Sequence, residues 1–245
     1  MEKNVVIAQG LWCRSSLYVP MAKKFQERGY TYSIPELRND GVMEEGDVLP
    51  DSNRYLEILQ KQSIDWENTI LIGHSFGGLL AQIIAARVKP KALILLSPVV
   101  PAKYNRPGLH AIAFGIYLTF ISRFFTKSSR PSLSGFSTWI YQCLSSKERE
   151  DLYPSFLNEN PFVVRECVLP GKISRTAYTS KSQIECPVFV AAAEKDRIVN
   201  AESLRKFADR YAAGYKVYEN TSHWMITESS IGQIVTDICD WLDKK

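Results

Sequence analysis

The sequence predicts an α/β protein: a mostly parallel sheet flanked by helices, with a helical cap inserted between two of its strands. Three observations carry that expectation. Short apolar runs alternate with amphipathic helical patterns, the order that places parallel strands under crossover helices. The alternation stops between Val99 and Gln183, where Pro101, Pro107, Pro131, Pro154, Pro161 and Pro170 cut the chain into short helical pieces. Finally, a glycine-flanked serine, Gly73-His74-Ser75-Phe76-Gly77, joins an apolar run directly to a helical one.

In chain order, strands are expected from Val5 to Ala8, Tyr30 to Ile34, Thr69 to Ile72, Ala92 to Leu96, Val188 to Ala192 and Lys216 to Tyr218. The helices between them follow from apolar spacing. Val19 to Arg28 is the first, and Asp51 to Gln62 carries Tyr55, Leu56 and Leu59. Phe76 to Val88 carries Leu79, Leu80, Ile83 and Ile84. Asn200 is an N-cap candidate for a helix with Leu204, Phe207 and Tyr211, and Ser229 or Ser230 opens the last, with Ile234, Val235 and Ile238. In the cap, Leu109, Ile112, Ala113, Ile116, Tyr117 and Phe120 fall at helical spacing, with Phe114 and Leu118 on the other side. Ser145-x-x-Glu148 is a capping-box candidate for a second cap helix.

The 245 residues suit one hydrophobic core with an insertion: residues 1–98 and 184–245 as the core, 99–183 as the cap. A chain that is 45% hydrophobic and 23% charged is neither disordered nor low-complexity. Met1 to Asn4 runs straight into Val5, too soon for a signal peptide, and the longest apolar stretch, Ala111 to Ile121, falls far short of the ~20 residues that span a bilayer. The five cysteines are scattered, with no C-x-x-C pair, which suggests neither a disulfide framework nor a zinc site and fits a reducing cytoplasm. Net charge is +4, and the basic bias sits between Val99 and Cys186, with eleven Lys/Arg against six Asp/Glu. No G-x-G-x-x-G, G-x-x-x-x-G-K-[ST] or H-E-x-x-H is present, so no cofactor, metal or nucleic-acid partner is expected. Oligomeric state stays open.

The chemistry centres on Ser75. A serine between a strand and a helix sits on a tight turn that presents its hydroxyl above the sheet, and side chains at Gly73 or Gly77 would clash with that turn. The helix beginning at Phe76 brings backbone N–H groups and a positive dipole end beside any anion formed there. A serine hydroxyl needs a base. Of the three histidines, His74 adjoins the serine and points elsewhere as a packed neighbour, and His110 opens the apolar cap helix. His223, in Asn220-Thr221-Ser222-His223-Trp224 just after the last strand, is the base. The imidazole needs a carboxylate to orient it. Asp196, further into the loop after the fifth strand, is favoured over Glu194, read as solvated. Cys13 reads as a buried, idle thiol.

With these residues the chain resembles the α/β-hydrolase fold superfamily over nearly its whole length: Gln9-Gly10-Leu11-Trp12 after the first strand, the turn at Ser75, the cap, Asp196 and His223, in the order Ser…Asp…His. The resemblance implies an oxyanion hole from the N–H groups of Leu11 and Phe76, and a sheet trimmed at its start. Gln9 stands where the family often has histidine; the oxyanion hole uses backbone, so it is unaffected. The implied activity is hydrolysis of carboxylic esters through an acyl-enzyme. A thioesterase, a C–C bond hydrolase, a cyclase or lyase, and a non-catalytic receptor are the other readings of this scaffold.

The cap bears on substrate. Its first helix is apolar nearly all round, so one face can pack on the sheet while others line a pocket for a small lipophilic molecule. Substrate-binding candidates are Trp12, Phe114, Tyr117, Leu118 and Trp224; for any single cap residue, a place in the cap's own core competes with that role. Lys103, Arg106, Arg123, Lys127, Arg130 and Lys147 have no acidic counterpart from Val99 to Lys147. Such a lid could draw anionic substrates or touch an anionic membrane surface weakly, although a solvated basic face is the commoner origin of such a run.

Overall fold

The computed structural model describes residues 3–38, 51–62, 65–101, 104, 106–120, 130–168 and 181–245. Its strands are β1 (Lys3–Ala8), β2 (Tyr30–Ser33), β3 (Thr69–His74), β4 (Ala92–Leu96), β5 (Val188–Ala193) and β6 (Gly214–Tyr218). They form one sheet in the order β2-β1-β3-β4-β5-β6, every pair parallel. Every residue of β3, β4 and β5 is buried, as continuous apolar runs covered on both faces should be. The edge strand β6 leaves Lys216 and Val217 exposed.

The helices are α1 (Val19–Gln26), α2 (Ser52–Gln60) and α3 (Phe76–Val88), then α4 (Leu109–Phe120), α5 (Leu133–Trp139), α6 (Ser146–Leu152) and α7 (Pro161–Val168) between β4 and β5. After β5 come α8 (Ala201–Asp209) and α9 (Ile231–Leu242). Between β4 and β5 no described residue belongs to a strand, in line with the proline-punctuated sequence. Caps set several boundaries. The Asp51 carboxylate accepts from Arg54 N at 2.9 Å, Asn200 from Ser203 N at 2.8 Å, and the Ser145–Glu148 capping box is closed in both directions. Ser230 stands at the N-cap of α9 without a side-chain cap bond, so that helix starts on the apolar Ile231. No helix among the described residues is long and apolar enough to cross a membrane.

Two boundaries differ from expectation in ways that matter for the site. β3 runs two residues beyond Ile72, because Gly73 and His74 continue the pairing with Leu95 and Leu96 of β4. Ser75 therefore leaves the strand with no intervening loop. α1 stops at Gln26 rather than Arg28, and Gly29, at φ +83°, turns the chain into β2.

The core runs without a break from both faces of the sheet into the inserted helices. α3 buries every residue from Phe76 to Ala85, so its apolar character all round matches its place against β1, β3 and β4. In the insertion Phe136 stacks on both Tyr141 and Phe156, which tilt against each other, and Phe156 meets Trp224 edge-on at 5.1 Å between centroids. The direction of sheet growth reverses between β1 and β3, which opens a crevice at their C-terminal ends. Gly10 and Ser75 lie there.

Candidate active site

Ser75 has φ +54° and ψ −121°, a conformation costly for a residue with a Cβ and held by its neighbours. Its N–H donates to Leu96 O at 3.0 Å, and its carbonyl accepts from Gly78 N at 3.0 Å and Val99 N at 2.9 Å. The flanking glycines make different close approaches. A Cβ on Gly73 would lie 2.6 Å from Gly77 O and Gly78 Cα, inside the turn itself. One on Gly77 would run into the Ala8 carbonyl, so that glycine lets α3 approach the end of β1. The expectation of a clash within the turn holds for Gly73 alone.

His223 is buried after β6, with Nε2 2.8 Å from Ser75 Oγ and Nδ1 2.8 Å from Asp196 Oδ2. The other Asp196 oxygen accepts from the backbone N–H groups of Ile198 at 2.7 Å and Val199 at 2.9 Å. That carboxylate is fully buried, so its position is set before any substrate arrives. Glu194 is exposed and accepts from Asn220 N at 2.8 Å; it does not reach the imidazole. With a carboxylate at Nδ1, the hydrogen sits there and Nε2 offers its lone pair to the serine hydroxyl.

Leu11 follows Gly10 off β1, and Phe76 opens α3, where the first N–H groups of a helix have no intrahelical acceptor. The Gly10 backbone crosses directly over the serine: a Cβ there would sit 3.2 Å from Ser75 Cβ. Burial pushes the Cys13 thiol up to about 12, which agrees with its reading as inert. His110 is exposed on α4 and packs edge-on against Trp139.

Above Ser75 and His223 opens a cavity of about 380 Å³, bounded by the Gly10–Cys13 loop, α4, Phe136, Ile140, Phe156 and Trp224. Among the described residues no Lys, Arg, Asp or Glu lines it. Trp12, Phe114, Leu118 and Trp224 of the sequence candidates are in the lining; Tyr117 is not. The Tyr117 hydroxyl instead accepts from Ser132 N at 3.0 Å and pairs with Ser132 Oγ, joining α4 to the start of α5. Of the basic cap residues, Lys103, Arg123 and Lys127 lie outside the described residues.

Several residues around the site were not foreseen. Glu228 accepts from Ser222 N at 2.8 Å and from the Ser222 hydroxyl, fastening the turn before His223; burial raises its pKa. Arg38 and Glu159 form a buried ion pair behind the Leu11–Cys13 segment, and Tyr18 bonds His74. The signals available in sequence were an acid inside the cap and a tyrosine near Gly10. Neither fixes a partner.

Fold and site geometry together define an α/β-hydrolase. The chain belongs to the hydrolase family described as serine aminopeptidase, S33, whose model matches residues 1–230. Among solved structures it is similar to a variant of tomato methylketone synthase I complexed with β-ketoheptanoate, at 15% identity and a TM-score of 0.75 over 100% of this chain and 98% of that one. The Arabidopsis methylesterase MES16 matches at 12% identity and a TM-score of 0.72, with 99% of each chain covered. A thioesterase domain from the curacin biosynthetic pathway matches at 17% identity and a TM-score of 0.68, covering 97% of this chain and 91% of that one. At such identities the likeness is one of fold. No curated protein sequence matches significantly.

Proposed function

We propose that the protein is a serine hydrolase of carboxylic esters with a lipophilic acyl or alcohol part, working through Ser75, His223 and Asp196 and an acyl-enzyme. The observation that carries this reading is the pair of 2.8 Å hydrogen bonds running from Asp196 through His223 to Ser75, at the floor of a cavity with no Lys, Arg, Asp or Glu among its described lining residues. Ser75 Oγ attacks the ester carbonyl carbon while His223 Nε2 takes the hydroxyl proton. The carbonyl electron pair moves onto oxygen, where the N–H groups of Leu11 and Phe76 meet it. Collapse breaks the bond to the alcohol, which leaves with the proton held by His223, and the acyl group stays on Ser75. Water then attacks, giving its proton to His223; the acid departs and Ser75 regains its hydrogen. Asp196 holds the imidazole and balances its charge while protonated. Trp12, Phe114, Leu118 and Trp224 receive the apolar part of the substrate.

A fluorophosphonate probe with mass spectrometry, alongside p-nitrophenyl esters and acyl thioesters, tests this. Ser75 is expected to be labelled and ester turnover lost with it, and Ser75→Ala to be inactive. Labelling elsewhere, or full activity of Ser75→Ala, refutes the proposal. Thioesters cleaved far faster than esters redirect it to a thioesterase. Labelling without turnover of either redirects it to C–C bond cleavage, or to a cyclase, lyase or receptor.

A weak membrane-surface contact through the basic cap belongs to the same proposal. Leu109, Ile112 and Ile116 fall on one face of α4 and are 86%, 48% and 56% exposed, and the two isoleucines also border the cavity. Cosedimentation with anionic phospholipid vesicles is expected to exceed that with neutral ones. No binding to either removes this part.

A further inference from the structure

His74 has hydrogen bonds that reach two loops far from it in sequence. Its Nε2 is 2.9 Å from the backbone carbonyl of His223, and its Nδ1 is 2.8 Å from the Tyr18 hydroxyl. The same Tyr18 oxygen lies 2.7 Å from Gly10 N, the residue that leads into Leu11. All four residues are buried.

The hydrogens follow from the partners. A backbone carbonyl only accepts, so Nε2 of His74 carries a hydrogen and donates it to His223 O. In the neutral ring Nδ1 is then a lone pair, and the Tyr18 O–H must donate to it. The Tyr18 oxygen keeps a lone pair for the Gly10 N–H. Every bond in the run points the same way, from Gly10 through Tyr18 and His74 to His223, and one neutral tautomer satisfies all of them. Burial pushes the His74 imidazole down to about 3, and the neighbouring His223 adds to the depression, so the ring has no charge near neutral pH.

We propose that His74, with Tyr18, is a positioning residue: a neutral hydrogen-bond bridge that fixes the backbone of His223 relative to the Gly10–Leu11 loop. The proposal rests on the serine-hydrolase reading above. Gly10 and His223 both lie beyond the strand ends, where sheet pairing no longer holds them. Their separation nevertheless decides whether the base and the oxyanion donor reach one substrate carbonyl together, and a 1 Å error in such placement costs about 10²-fold. His74 is suited to the role because its own backbone is the last paired position of β3, next to Ser75. It ties both loops to the strand that presents the nucleophile.

His74→Leu removes both bonds, His74→Gln keeps an amide N–H for His223 O and an oxygen for Tyr18, and Tyr18→Phe removes one link. With p-nitrophenyl acetate, His74→Leu is expected to lower kcat about 10- to 100-fold with KM within about twofold. The rate of Ser75 phosphonylation should fall in parallel. His74→Gln should recover most of both, with Tyr18→Phe between. Full kcat in folded His74→Leu and Tyr18→Phe overturns the proposal, as does equal loss in the Leu and Gln variants, which would mean packing alone. If His74→Leu does not fold, ¹⁵N NMR of the intact protein decides: the His74 ring should be the neutral Nε2–H tautomer from about pH 5 to 9, and a protonated ring or the Nδ1–H tautomer overturns the bridge. A wild-type protein that neither turns over esters nor takes the probe would fail the hydrolase reading, while the NMR result would still judge the bridge.

Discussion

Shortening the wall of the cavity should change which acyl chains the protein prefers while leaving the chemistry at Ser75 alone. The cavity holds about 380 Å³. Taking a methylene as about the ~30 Å³ share of a water molecule, that is space for about a dozen non-hydrogen atoms, room for the carbonyl and an acyl chain when the nitrophenyl group lies outside it. Each methylene transferred from water contributes about 0.8 kcal/mol, or about fourfold in kcat/KM, until the space is filled. Along p-nitrophenyl acetate, butyrate, hexanoate and octanoate, kcat/KM should therefore climb by up to about 15-fold per two-carbon step and then level off. Phe114 stacks on Tyr117 and tilts against Trp139, and Leu118 lies one helical turn further on. Phe114→Ala or Leu118→Ala should move the plateau to longer chains and cut the rate for mid-length esters, with acetate within about twofold once rates are scaled to probe-titrated active sites. That scaling matters, because such truncations also cost about 2–5 kcal/mol of stability. A flat chain-length profile in the wild type, or the same proportional loss for acetate and octanoate in both variants, would refute the assignment of this cavity to the acyl chain.

Asp196→Asn should lower kcat by about 10⁴ through the wrong imidazole tautomer, and Glu194→Gln should change it less than about twofold; the reverse pattern in steady-state kinetics would move the orienting role to Glu194. Glu159→Gln leaves the Arg38 guanidinium buried without its counter-charge and should cost about 3–5 kcal/mol in urea unfolding; a loss under about 1 kcal/mol would mean the pair is not coupled. His74 stays unprotonated in the folded protein well below the pH at which the unfolded chain takes up its proton, so its effect on stability is nil above about pH 6.5 and grows unfavourable as pH falls, by up to about 1.4 kcal/mol per unit. Between pH 7 and about pH 5, wild type should lose about 2 kcal/mol more than His74→Gln in urea titrations, and parallel losses would contradict a neutral, buried ring.

The parts of this protein legible in sequence are those whose determinants are contiguous. Gly73 to Gly77 carries a steric requirement within five residues, and the apolar runs around it fix which side is strand and which is helix. Asp196 and His223 were legible because each follows a strand end, where loops gather over the sheet. The extension of β3 through His74 was not legible, because a glycine and a histidine carry no strand signal; pairing with the fully apolar β4 draws them in. Tyr117 shows the same limit in the cap. Helical spacing places it beside Phe114, but whether it faces the cavity or α5 depends on where Ser132 arrives, and that is a tertiary fact.

The Gly10–Cys13 loop shows why the remaining residues are invisible in sequence, and why they are needed if it supplies an oxyanion donor as proposed. Trp12 has φ +62°, unfavourable for a bulky side chain, and such a conformation persists only where its surroundings over-determine it. Hydrogen bonds from elsewhere in the chain do so. Leu157 N donates to Trp12 O at 2.7 Å, Trp12 N donates to Glu159 Oε2 at 3.4 Å, Arg38 Nη1 donates to Cys13 O at 3.1 Å, and Tyr18 accepts from Gly10 N. Arg38 is itself bonded through Nε to Glu159 Oε2 at 2.7 Å, and the Tyr55 hydroxyl holds Glu159 Oε1 at 2.6 Å. Leu157 and Glu159 come from the inserted segment, Arg38 from after β2 and Tyr55 from α2, so no local pattern announces the network. Its placement has a chemical consequence. A backbone N–H stabilises a developing oxyanion in proportion to how little it must reorganise when the charge appears. A loop held by buried hydrogen bonds from several parts of the chain, those with Arg38 and Glu159 charge-assisted, has little freedom to reorganise. On the proposed mechanism the inserted segment thus reaches the chemistry by two routes: the apolar side chains of its helices shape the cavity, and Leu157 and the buried Glu159 carboxylate, from the stretch before α7, hold the loop that carries Leu11.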